Sequence, residues 1–489
     1  MNSDVRRGEA RCVMVLGTTS GAGKSWLATA LCRWYARQGL RVAPFKAQNM
    51  SNNARVVAGG EIGSAQYFQA LAARAVPDVR MNPLLLKPER DTHSQAILMG
   101  QVSNELTALP WRGRSERVWP QIAQAFDELR AENEVVVIEG AGSPAEINLM
   151  ASDIVNLRVA RHADARCLLV TDIDRGGAFA HLYGTWALMP EADRALIRGF
   201  VLNKFRGDAS LLAPAPQQLQ GLTGIPTVAT LPMWWQHGLP EEDGVFDDRS
   251  TASGEVRLTV AVVAYPRISN LDEFQPLKNI DGVRLRWARS PADVAGADWI
   301  VLPGSKNTSG DLAWLRAQGL DRAVTAHAAR GGAVLGICGG LQMLGEALID
   351  PHGVDGNGPG LGLLPLVTVF AEDKTVRPRE ARFGAMTGPW AALSGVVVHG
   401  YEIHHGQTAP HAAMAAAGDL ATPVMPDDLA WQNAEGNVLG LYLHGLFEDP
   451  AALHALFGVA ARTLESVFDG LADHIDSHFE AGVLRSLIE

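Results

Sequence analysis

Much of the fold can be read from one stretch in the second half of this chain, Ala333-Val334-Leu335-Gly336-Ile337-Cys338-Gly339-Gly340. Its apolar run predicts a buried strand, and the strand ends in the pattern Gly-x-Cys-x-Gly. This is the spacing of a nucleophile elbow, where small flanking residues allow a strained turn from strand to helix. Such a turn raises the cysteine above the sheet and directs the next N–H, that of Gly339, at an oxyanion. The stretch therefore predicts a cysteine nucleophile on an α/β fold.

The alternative for Cys338 is a structural role, because free cysteines are usually buried in protein cores. Packing alone does not require glycine both two residues before and two residues after the cysteine, so the pattern favours a reactive thiol. The other cysteines are Cys12, Cys32 and Cys167. Their wide spacing indicates neither a disulfide framework nor a zinc site.

The composition is typical of a globular protein with substantial cores. Of the 489 residues, 47% are hydrophobic and 19% are charged, and the length suggests about two to four domains. The net charge of −11 disfavours broad binding to nucleic acids. No apolar run has membrane length and no signal peptide is recognisable. We therefore expect a cytoplasmic protein without a nucleic-acid or membrane partner; its oligomeric state is left open.

The first half contains a glycine-rich loop between a predicted strand (13–16) and a predicted helix (25–38). Its backbone N–H groups would hold phosphates, while Lys24 would reach the β- and γ-phosphates and Ser25 would bind Mg²⁺. Gly17 lies one residue further from Gly23 than the strict phosphate-loop pattern allows, and the alternative is a chance glycine loop. The ATP-binding residues predicted here are Gly17, Thr18, Gly21, Gly23, Lys24 and Ser25.

A carboxylate follows another predicted buried strand (135–138). Glu139 is placed where an open α/β sheet holds a Mg²⁺ ligand, so we predict that it shares the metal with Ser25. An ordinary acidic residue at a strand end is the alternative. The phosphate loop earlier in the chain favours the metal ligand.

Two further predicted strands (166–171 and 199–202) lead into polar loops. The loop 172–177 contains carboxylates, glycines and Arg175, and the loop 203–208 contains Asn203 and Arg206. The Asn203 amide is a candidate partner for a purine edge of ATP. Arg175, Arg206 and Lys46 are hypothetical partners for phosphate or for carboxylates of the substrate, and solvated loops are the alternative. Strands alternating with helices predict a doubly wound parallel sheet.

These motifs resemble the dethiobiotin-synthetase-like branch of phosphate-loop proteins, which phosphorylate a carboxylate to activate it. The resemblance rests on the loop 17–25 and on Glu139-Gly140-Ala141-Gly142. Within that branch, the stretches 46–53, 61–63 and 203–208 resemble the cobyric acid synthase family. We assign residues 1–236 to this ATP-dependent amide synthetase domain and the polar, acidic stretch 237–255 to a linker.

The remaining residues, 256–489, are predicted to form a second doubly wound α/β domain. Pro303-Gly304 follows a predicted strand, so Gly304 could supply a second oxyanion N–H beside that of Gly339. His444 follows the predicted strand 438–443, where it could serve Cys338 as general base and acid. The histidine-rich stretch 399–406 offers candidate metal ligands but lacks a convincing third one, and we expect it to shape the glutamine or interdomain surface.

Cys338, His444 and the Pro-Gly loop resemble a class I glutamine amidotransferase domain of the type fused to cobyric and cobyrinic acid amide synthases. The common pattern of that class has a glutamate two residues after the histidine, whereas this chain has Leu446. The cobyric-type domains share this departure. The group that orients His444 is left open, with Glu448 as one candidate.

The resemblance covers essentially the whole chain and implies a glutamine-hydrolysing carbon–nitrogen ligase of cobalamin biosynthesis, with ATP and Mg²⁺ as cofactors. The implied substrates are glutamine and adenosylcobyrinic acid a,c-diamide, which is amidated at four peripheral carboxylates through acyl phosphates. The first alternative is cobyrinic acid a,c-diamide synthase, which has both domain types. The second is a ParA-like switch ATPase whose amidotransferase domain is not catalytic.

Overall fold

The computed structural model describes residues 9–90, 92–235, 237–240, 255–458 and 463–489. The predicted fold class, two α/β domains with parallel sheets, is confirmed. The predicted linker 237–255 falls largely on residues 241–254, which lie outside the described residues. Among the described helices, none combines the length and the apolarity that crossing a bilayer requires.

The N-terminal strands are β1 (Arg11–Gly17), β2 (Val42–Phe45), β3 (Gln48–Met50), β4 (Ala54–Val57), β5 (Gly60–Gly63), β6 (Leu84–Arg90), β7 (His93–Leu98), β8 (Gln101–Val102), β9 (Val135–Glu139), β10 (Arg166–Asp172), β11 (Ile197–Phe205) and β12 (Thr227–Pro232). The helices of this half are α1 (Lys24–Arg37), α2 (Ser64–Ala72), α3 (Asn104–Ala108), α4 (Trp111–Glu132), α5 (Leu157–Ala163), α6 (Ala178–Leu188), α7 (Glu191–Arg194) and α8 (Ala215–Thr223).

Six of these strands form one parallel sheet in the order β12-β11-β10-β1-β9-β2. Strands β1, β9 and β10 are buried along almost their whole length, as strands covered on both faces by helices must be. Because all six strands run in one direction, their carboxyl ends lie at one edge of the sheet. Between β2 and β9, the chain forms a smaller sheet, β3-β6-β7-β8, and the hairpin β4–β5. Both contact the second domain.

The C-terminal strands are β13 (Leu258–Val263), β14 (Ile268–Ser269), β15 (Val283–Ala288), β16 (Trp299–Leu302), β17 (Gly304–Ser305), β18 (Ala333–Ile337), β19 (Ala347–Ile349), β20 (Gly358–Pro359), β21 (Leu366–Arg382), β22 (Val397–Pro410), β23 (Thr422–Pro423), β24 (Ala430–Gln432) and β25 (Val438–Leu441). The helices of this half are α9 (Gln275–Lys278), α10 (Pro291–Val294), α11 (Thr308–Ala317), α12 (Leu320–Ala329), α13 (Gly339–Leu344), α14 (Ala412–Ala416), α15 (Pro450–Phe457), α16 (Leu464–His478) and α17 (Val483–Ser486).

The second sheet has the order β15-β13-β16-β18-β25-β24-β23. Its first five strands are parallel, β24 pairs antiparallel with β25, and β23 pairs antiparallel with β24. A long antiparallel hairpin, β21–β22, projects beside it. In the sequence, only the short apolar run at 395–398 predicts a strand in this region. Much of β21 is exposed or half-buried, so it lacks the continuous apolar run by which the buried strands were recognised.

The predicted extent of the second domain, 256–489, needs a correction at its end. Helices α16 and α17 pack into the hydrophobic core of the first domain, against α1 and the sheet. Arg33 of α1 is fully buried and pairs with Asp469 Oδ1 at 2.7 Å and with Glu465. The backbone N–H of Glu480 donates to the carbonyl of Val228 at 2.9 Å. Residues 463–489 therefore return to the N-terminal domain, because the apolar face of α16 is buried there.

Candidate active site

Cys338 occupies a strained turn between β18 and α13. Its backbone has φ 52° and ψ −105°, a conformation that side chains of L-residues rarely adopt and that costs about 1–3 kcal/mol. A Cβ on Gly340 would overlap the carbonyl oxygen of Leu302, so the neighbouring strand approaches too closely for any other residue. The strand, turn and helix predicted for this stretch are present, and their geometry is that of a nucleophile elbow.

The parallel pairing of β18 with β25 brings His444 to the cysteine. Ile337 is in register with Leu441, so the residues that follow the two strands meet at one edge of the sheet. The thiol of Cys338 lies within hydrogen-bonding reach of the His444 imidazole, and its Sγ is 3.6 Å from the carbonyl oxygen of Ile403. Cys338 is 5% exposed and His444 is 1% exposed, so the pair is shielded from solvent.

The group that orients His444 is Glu273, which the sequence analysis did not single out. Its Oε1 lies 3.2 Å from His444 Nδ1, and its Oε2 accepts the N–H of Gly445 at 3.0 Å. Because a carboxylate can only accept at that position, Nδ1 carries a proton and the other ring nitrogen faces the thiol. The candidate Glu448 was wrong: its carboxylate pairs with Arg55. The acidic pair Asp272-Glu273 was the only signal in the sequence.

Burial and charge act in opposite directions on the His444 imidazole. Burial by itself lowers its pKa, but the carboxylate of Glu273 and the neighbouring Cys338 outweigh burial and raise the pKa to about 10. The imidazole therefore carries its proton at neutral pH. A protonated imidazole beside a cysteine nucleophile can serve as the general acid for a leaving group.

The loop after β16 lies across the elbow. Gly304 pairs with Ser269 in a short antiparallel ladder, and a Cβ placed on it would lie 2.9 Å from His444 Cε1. Ser305 is next to Gly339, since a Cβ on Gly339 would lie 2.8 Å from the Ser305 nitrogen. The structure thus brings the predicted Gly304 and Gly339 to Cys338 and His444, and it adds the backbone N–H of Ser305.

The histidine-rich stretch 399–406 lies on β22, beside the reaction centre. Tyr401 exchanges backbone hydrogen bonds with His444, and the two rings stack at 5.4 Å. The His404 ring is hydrogen-bonded at both nitrogens: Nε2 lies 3.0 Å from Glu402 Oε2, and Nδ1 lies 2.8 Å from the Gly406 carbonyl oxygen. Among the described residues there is no group of three or more histidine, cysteine or acidic side chains that could hold a metal.

The phosphate loop precedes α1 at the carboxyl edge of the first sheet. Gly21 and Gly23 have φ of 71° and 101°, in the left-handed region that glycine adopts most readily. Lys24 Nζ donates to the carbonyls of Thr19 at 3.0 Å and Gly142 at 3.2 Å. The Thr18 hydroxyl donates to Thr171 Oγ1 at 3.0 Å. Backbone groups thus hold the lysine over the loop, next to Gly17, where phosphates bind in proteins with this loop.

Glu139 lies at the centre of a buried polar cluster beside this loop. Its Oε1 accepts from Ser25 Oγ and from Lys46 Nζ, both at 2.8 Å, and its Oε2 accepts from Gln69 Nε2 at 2.5 Å. Burial raises the pKa of this carboxyl, but Lys46 and the hydrogen bonds outweigh it and hold the pKa below the ordinary value. The structure thus brings the predicted metal ligands Ser25 and Glu139 together.

Asn203 braces the phosphate loop from the end of β11. Its Nδ2 donates to the Ala22 carbonyl at 2.9 Å, and its Oδ1 accepts the N–H of Lys204 at 2.9 Å. Both ends of the amide are therefore engaged within the protein. This amide, predicted as a candidate partner for a purine edge of ATP, is thus held beside the phosphate loop.

The three predicted substrate residues do not form one group. Lys46 is 6% exposed and bonded to Glu139, whereas the side chains of Arg175 and Arg206 are 62% and 61% exposed. Arg175 pairs with Asp172 at 3.3 Å and Arg206 pairs with Asp174. Lys46 thus lies in the buried cluster around Glu139, while the two arginines lie on the surface of the adjacent loops.

Comparison with known proteins identifies both halves. Residues 13–237 match the family model of the CobQ/CobB/MinD/ParA nucleotide binding domain, and residues 259–452 match that of the CobB/CobQ-like glutamine amidotransferase domain. Cobyric acid synthase of Variovorax paradoxus (strain S110) is 85% identical over 98% of this chain and 99% of its own length. Cobyric acid synthases of Polaromonas naphthalenivorans (strain CJ2) and Acidovorax sp. (strain JS42) are 79% and 77% identical, over 98% and 99% of this chain and 99% of each relative. This chain belongs to the cobyric acid synthase family, in which a nucleotide-binding domain is joined to a glutamine amidotransferase domain.

Proposed function

We propose that this chain amidates four peripheral carboxylates of adenosylcobyrinic acid a,c-diamide, using ATP and ammonia taken from glutamine, and that it does so in the cytoplasm. The observation that carries the proposal is the buried series Cys338, His444 and Glu273 at the edge of the second sheet. Family membership supports the choice of a corrinoid as the acceptor.

Glutamine hydrolysis begins with attack of the Cys338 thiolate on the side-chain amide carbon. His444 gives its proton to the amide nitrogen, the carbon–nitrogen bond breaks, and ammonia leaves a thioester behind. A water then attacks the thioester carbon and gives a proton back to His444. The carbon–sulfur bond breaks to release glutamate. Gly339 and Gly304 are proposed to donate N–H groups to the oxyanion in both steps, with Ser305 as a further donor.

The imidazolium is the form of His444 that the first step requires. Glu273 holds the ring with Nδ1 directed away from the thiol and stabilises its positive charge. This arrangement supplies the acid for the leaving nitrogen at neutral pH.

The first domain is proposed to activate the corrinoid carboxylate. The carboxylate oxygen attacks the γ-phosphorus of ATP, ADP leaves, and an acyl phosphate forms. Ammonia then attacks the acyl carbon, and the carbon–oxygen bond to phosphate breaks. Each amide therefore consumes one ATP and one glutamine, because a carboxylate does not condense with ammonia unaided in water.

The residues at the carboxyl edge of the first sheet fit a nucleotide with Mg²⁺. A hydroxyl and a carboxylate oxygen are ligands that Mg²⁺ prefers, and Ser25 Oγ lies 2.8 Å from Glu139 Oε1. Gln69 Oε1 nearby is buried and accepts no hydrogen bond among the described residues. Ser25 and Glu139 would hold the ion, which when bound offsets phosphate charge. Lys24 and Lys46 would bind phosphate oxygens, and Arg175 and Arg206 are proposed to contact carboxylates of the corrinoid.

Two alternatives make different predictions in one assay. A cobyrinic acid a,c-diamide synthase would amidate cobyrinic acid, and a ParA-like switch ATPase would release ADP without glutamine or corrinoid. We would incubate the purified protein with Mg²⁺, ATP and glutamine, adding either cobyrinic acid or its a,c-diamide. ADP and glutamate would be measured with the mass of the corrinoid. We expect amidation of the a,c-diamide and not of cobyrinic acid. ADP, glutamate and new amide should form in equal amounts.

A further inference from the structure

Arg55 belongs to the first domain, yet its polar partners lie in the second. It sits in β4 with its side chain 2% exposed. Its guanidinium pairs with the carboxylates of Asp272 and Glu448 and donates to the hydroxyl of Tyr401. The guanidinium also lies 5.2 Å from the centre of the Tyr401 ring. One cation of the nucleotide-binding domain is therefore enclosed by three groups of the amidotransferase domain.

Each of these three groups is attached directly to the catalytic series. Asp272 precedes Glu273 in the chain, and Tyr401 both stacks on the His444 ring and bonds its backbone. Glu448 belongs to the turn after His444, where its N–H donates to the Gly445 carbonyl at 2.9 Å. Arg55 thus contacts the segments that place both the imidazole and its carboxylate.

On its other side, Arg55 is connected to the nucleotide site by a short path. The hairpin β4–β5 leads without a break into α2, whose Gln69 holds Glu139 at 2.5 Å. Gln69 lies five positions after Ser64, the first residue of α2, which corresponds to about 7.5 Å along the helix axis. Gln66 of the same helix contacts the same carboxylate at 3.4 Å. A change at Glu139 can therefore reach β4 through one rigid element.

The two domains are also joined by reciprocal hydrogen bonds next to Arg55. The N–H of Ala54 donates to Asn270 Oδ1 at 2.9 Å, and the N–H of Leu271 donates to Asn53 Oδ1 at 3.0 Å. Both bonds flank the Arg55–Asp272 pair. Movement of β4 would therefore move the segment that carries Glu273.

We propose that Arg55 is a positioning residue that couples the two active sites. Glutamine is then hydrolysed efficiently when ATP and the corrinoid are bound to the synthetase domain. Arg55 holds the Asp272–Glu273 segment and Tyr401, and through them it sets the arrangement of His444. This inference rests on the proposed glutaminase role of Cys338 and His444.

The test compares glutamate release with and without Mg²⁺-ATP and adenosylcobyrinic acid a,c-diamide. For the native protein we expect loading to raise the rate by roughly fivefold or more, as is usual for coupled sites. For Arg55→Met we expect the ratio of the rates with and without these ligands to fall to one. The kcat of glutamine hydrolysis should change more than the KM for glutamine. Synthesis from ammonium chloride should be unchanged, and Arg55→Lys should restore part of the coupling because it keeps the charge.

Arg33→Met is the matched control, since Arg33 is equally buried and also ion-paired but its partners are on α16; it should keep the native ratio. Asp272→Asn tests the same contact from the second domain and should lose the coupling as Arg55→Met does. A native ratio of one, or an unchanged ratio in both Arg55→Met and Asp272→Asn, would overturn the proposal. Glutamate release by Cys338→Ala would instead overturn the glutaminase role on which it rests.

Discussion

Nδ1 of His444 lies 3.2 Å from Oε1 of Glu273, a residue 171 positions earlier in the chain. The carboxylate is fully buried and also accepts the N–H of Gly445 at 3.0 Å. It therefore fixes both the ring and the backbone that carries it. This relationship completes the proposed catalytic series, whose other two members follow neighbouring strands.

Replacing Glu273 by Gln should lower the rate of glutamine hydrolysis and change its pH dependence. Burial lowers the pKa of His444, and the carboxylate contributes to raising it to about 10, so removal of the carboxylate lowers that pKa. The alkaline limb of the rate profile, where the imidazolium loses its proton, should therefore move from near pH 10 to lower pH. Glutamate release measured between neutral and alkaline pH checks this.

The exposed Glu435→Gln is the control for that substitution and should keep the native profile. Synthesis from ammonium chloride should be retained in both variants. An alkaline limb that stays in place in Glu273→Gln would contradict the assignment.

Cys338→Ala should abolish synthesis from glutamine and leave synthesis from ammonia largely intact, because the thiol is proposed to act only in releasing ammonia from glutamine. The measurement is corrinoid amidation with each nitrogen source. Cys32→Ala removes another buried thiol, in α1, and should retain both activities. Parallel loss of both activities in a folded Cys338→Ala protein would refute the division of labour between the domains.

Lys24→Ala should remove synthesis from either nitrogen source, since Lys24 is proposed to bind the phosphates of ATP. The thiol and imidazole of the second domain are untouched, so basal glutamate release should persist. Lys278→Ala, on α9 and outside both sites, serves as the control. Amidation by Lys24→Ala at the native rate would be incompatible with the phosphate-loop assignment.

Glu139→Gln should reduce both stability and synthesis. It leaves Lys46 buried without its carboxylate, and breaking a buried pair in this way costs about 3–5 kcal/mol. The double variant Lys46→Met/Glu139→Gln should recover much of the stability, because neither charge is then unpaired. Urea unfolding gives the free energies, and an amidation assay should find both variants impaired.

A stable Glu139→Gln protein would show that the pair carries little net energy. Full synthesis by the double variant would show that neither residue serves the nucleotide site.

Leu471→Ala should destabilise the nucleotide-binding domain although it lies near the end of the chain. Leu471 is fully buried in the core that α16 shares with α1, and such a truncation costs about 2–5 kcal/mol. Thermal unfolding is measured with and without Mg²⁺-ATP, which identifies the transition of the nucleotide-binding domain as the one that the nucleotide shifts. The lower melting temperature of Leu471→Ala should appear in that transition. Leu420→Ala, at a position 52% exposed, should have little effect. Loss confined to a transition that the nucleotide does not shift would contradict the packing of α16.

Local sequence patterns were sufficient to predict the strands that are buried on both faces and the two motifs at the ends of those strands. Val135 to Ile138 and Ala333 to Ile337 are continuous apolar runs, and the strands found there are Val135–Glu139 and Ala333–Ile337. The glycines around Lys24 and Cys338 also signal their turns directly, because close approach or a left-handed backbone requires them there. The half-exposed hairpin β21–β22 gave no such signal.

Long-range packing determined everything that joins distant parts of the chain. Glu273 meets His444, Lys46 meets Glu139, Arg55 enters the second domain and α16 returns to the first. No local pattern predicts these pairings, since the partner of a buried charge is recognisable only once the fold brings the two together. Residue types and spacings thus specified the two reactive centres, whereas the parallel sheets and the domain contact specified which charges surround them.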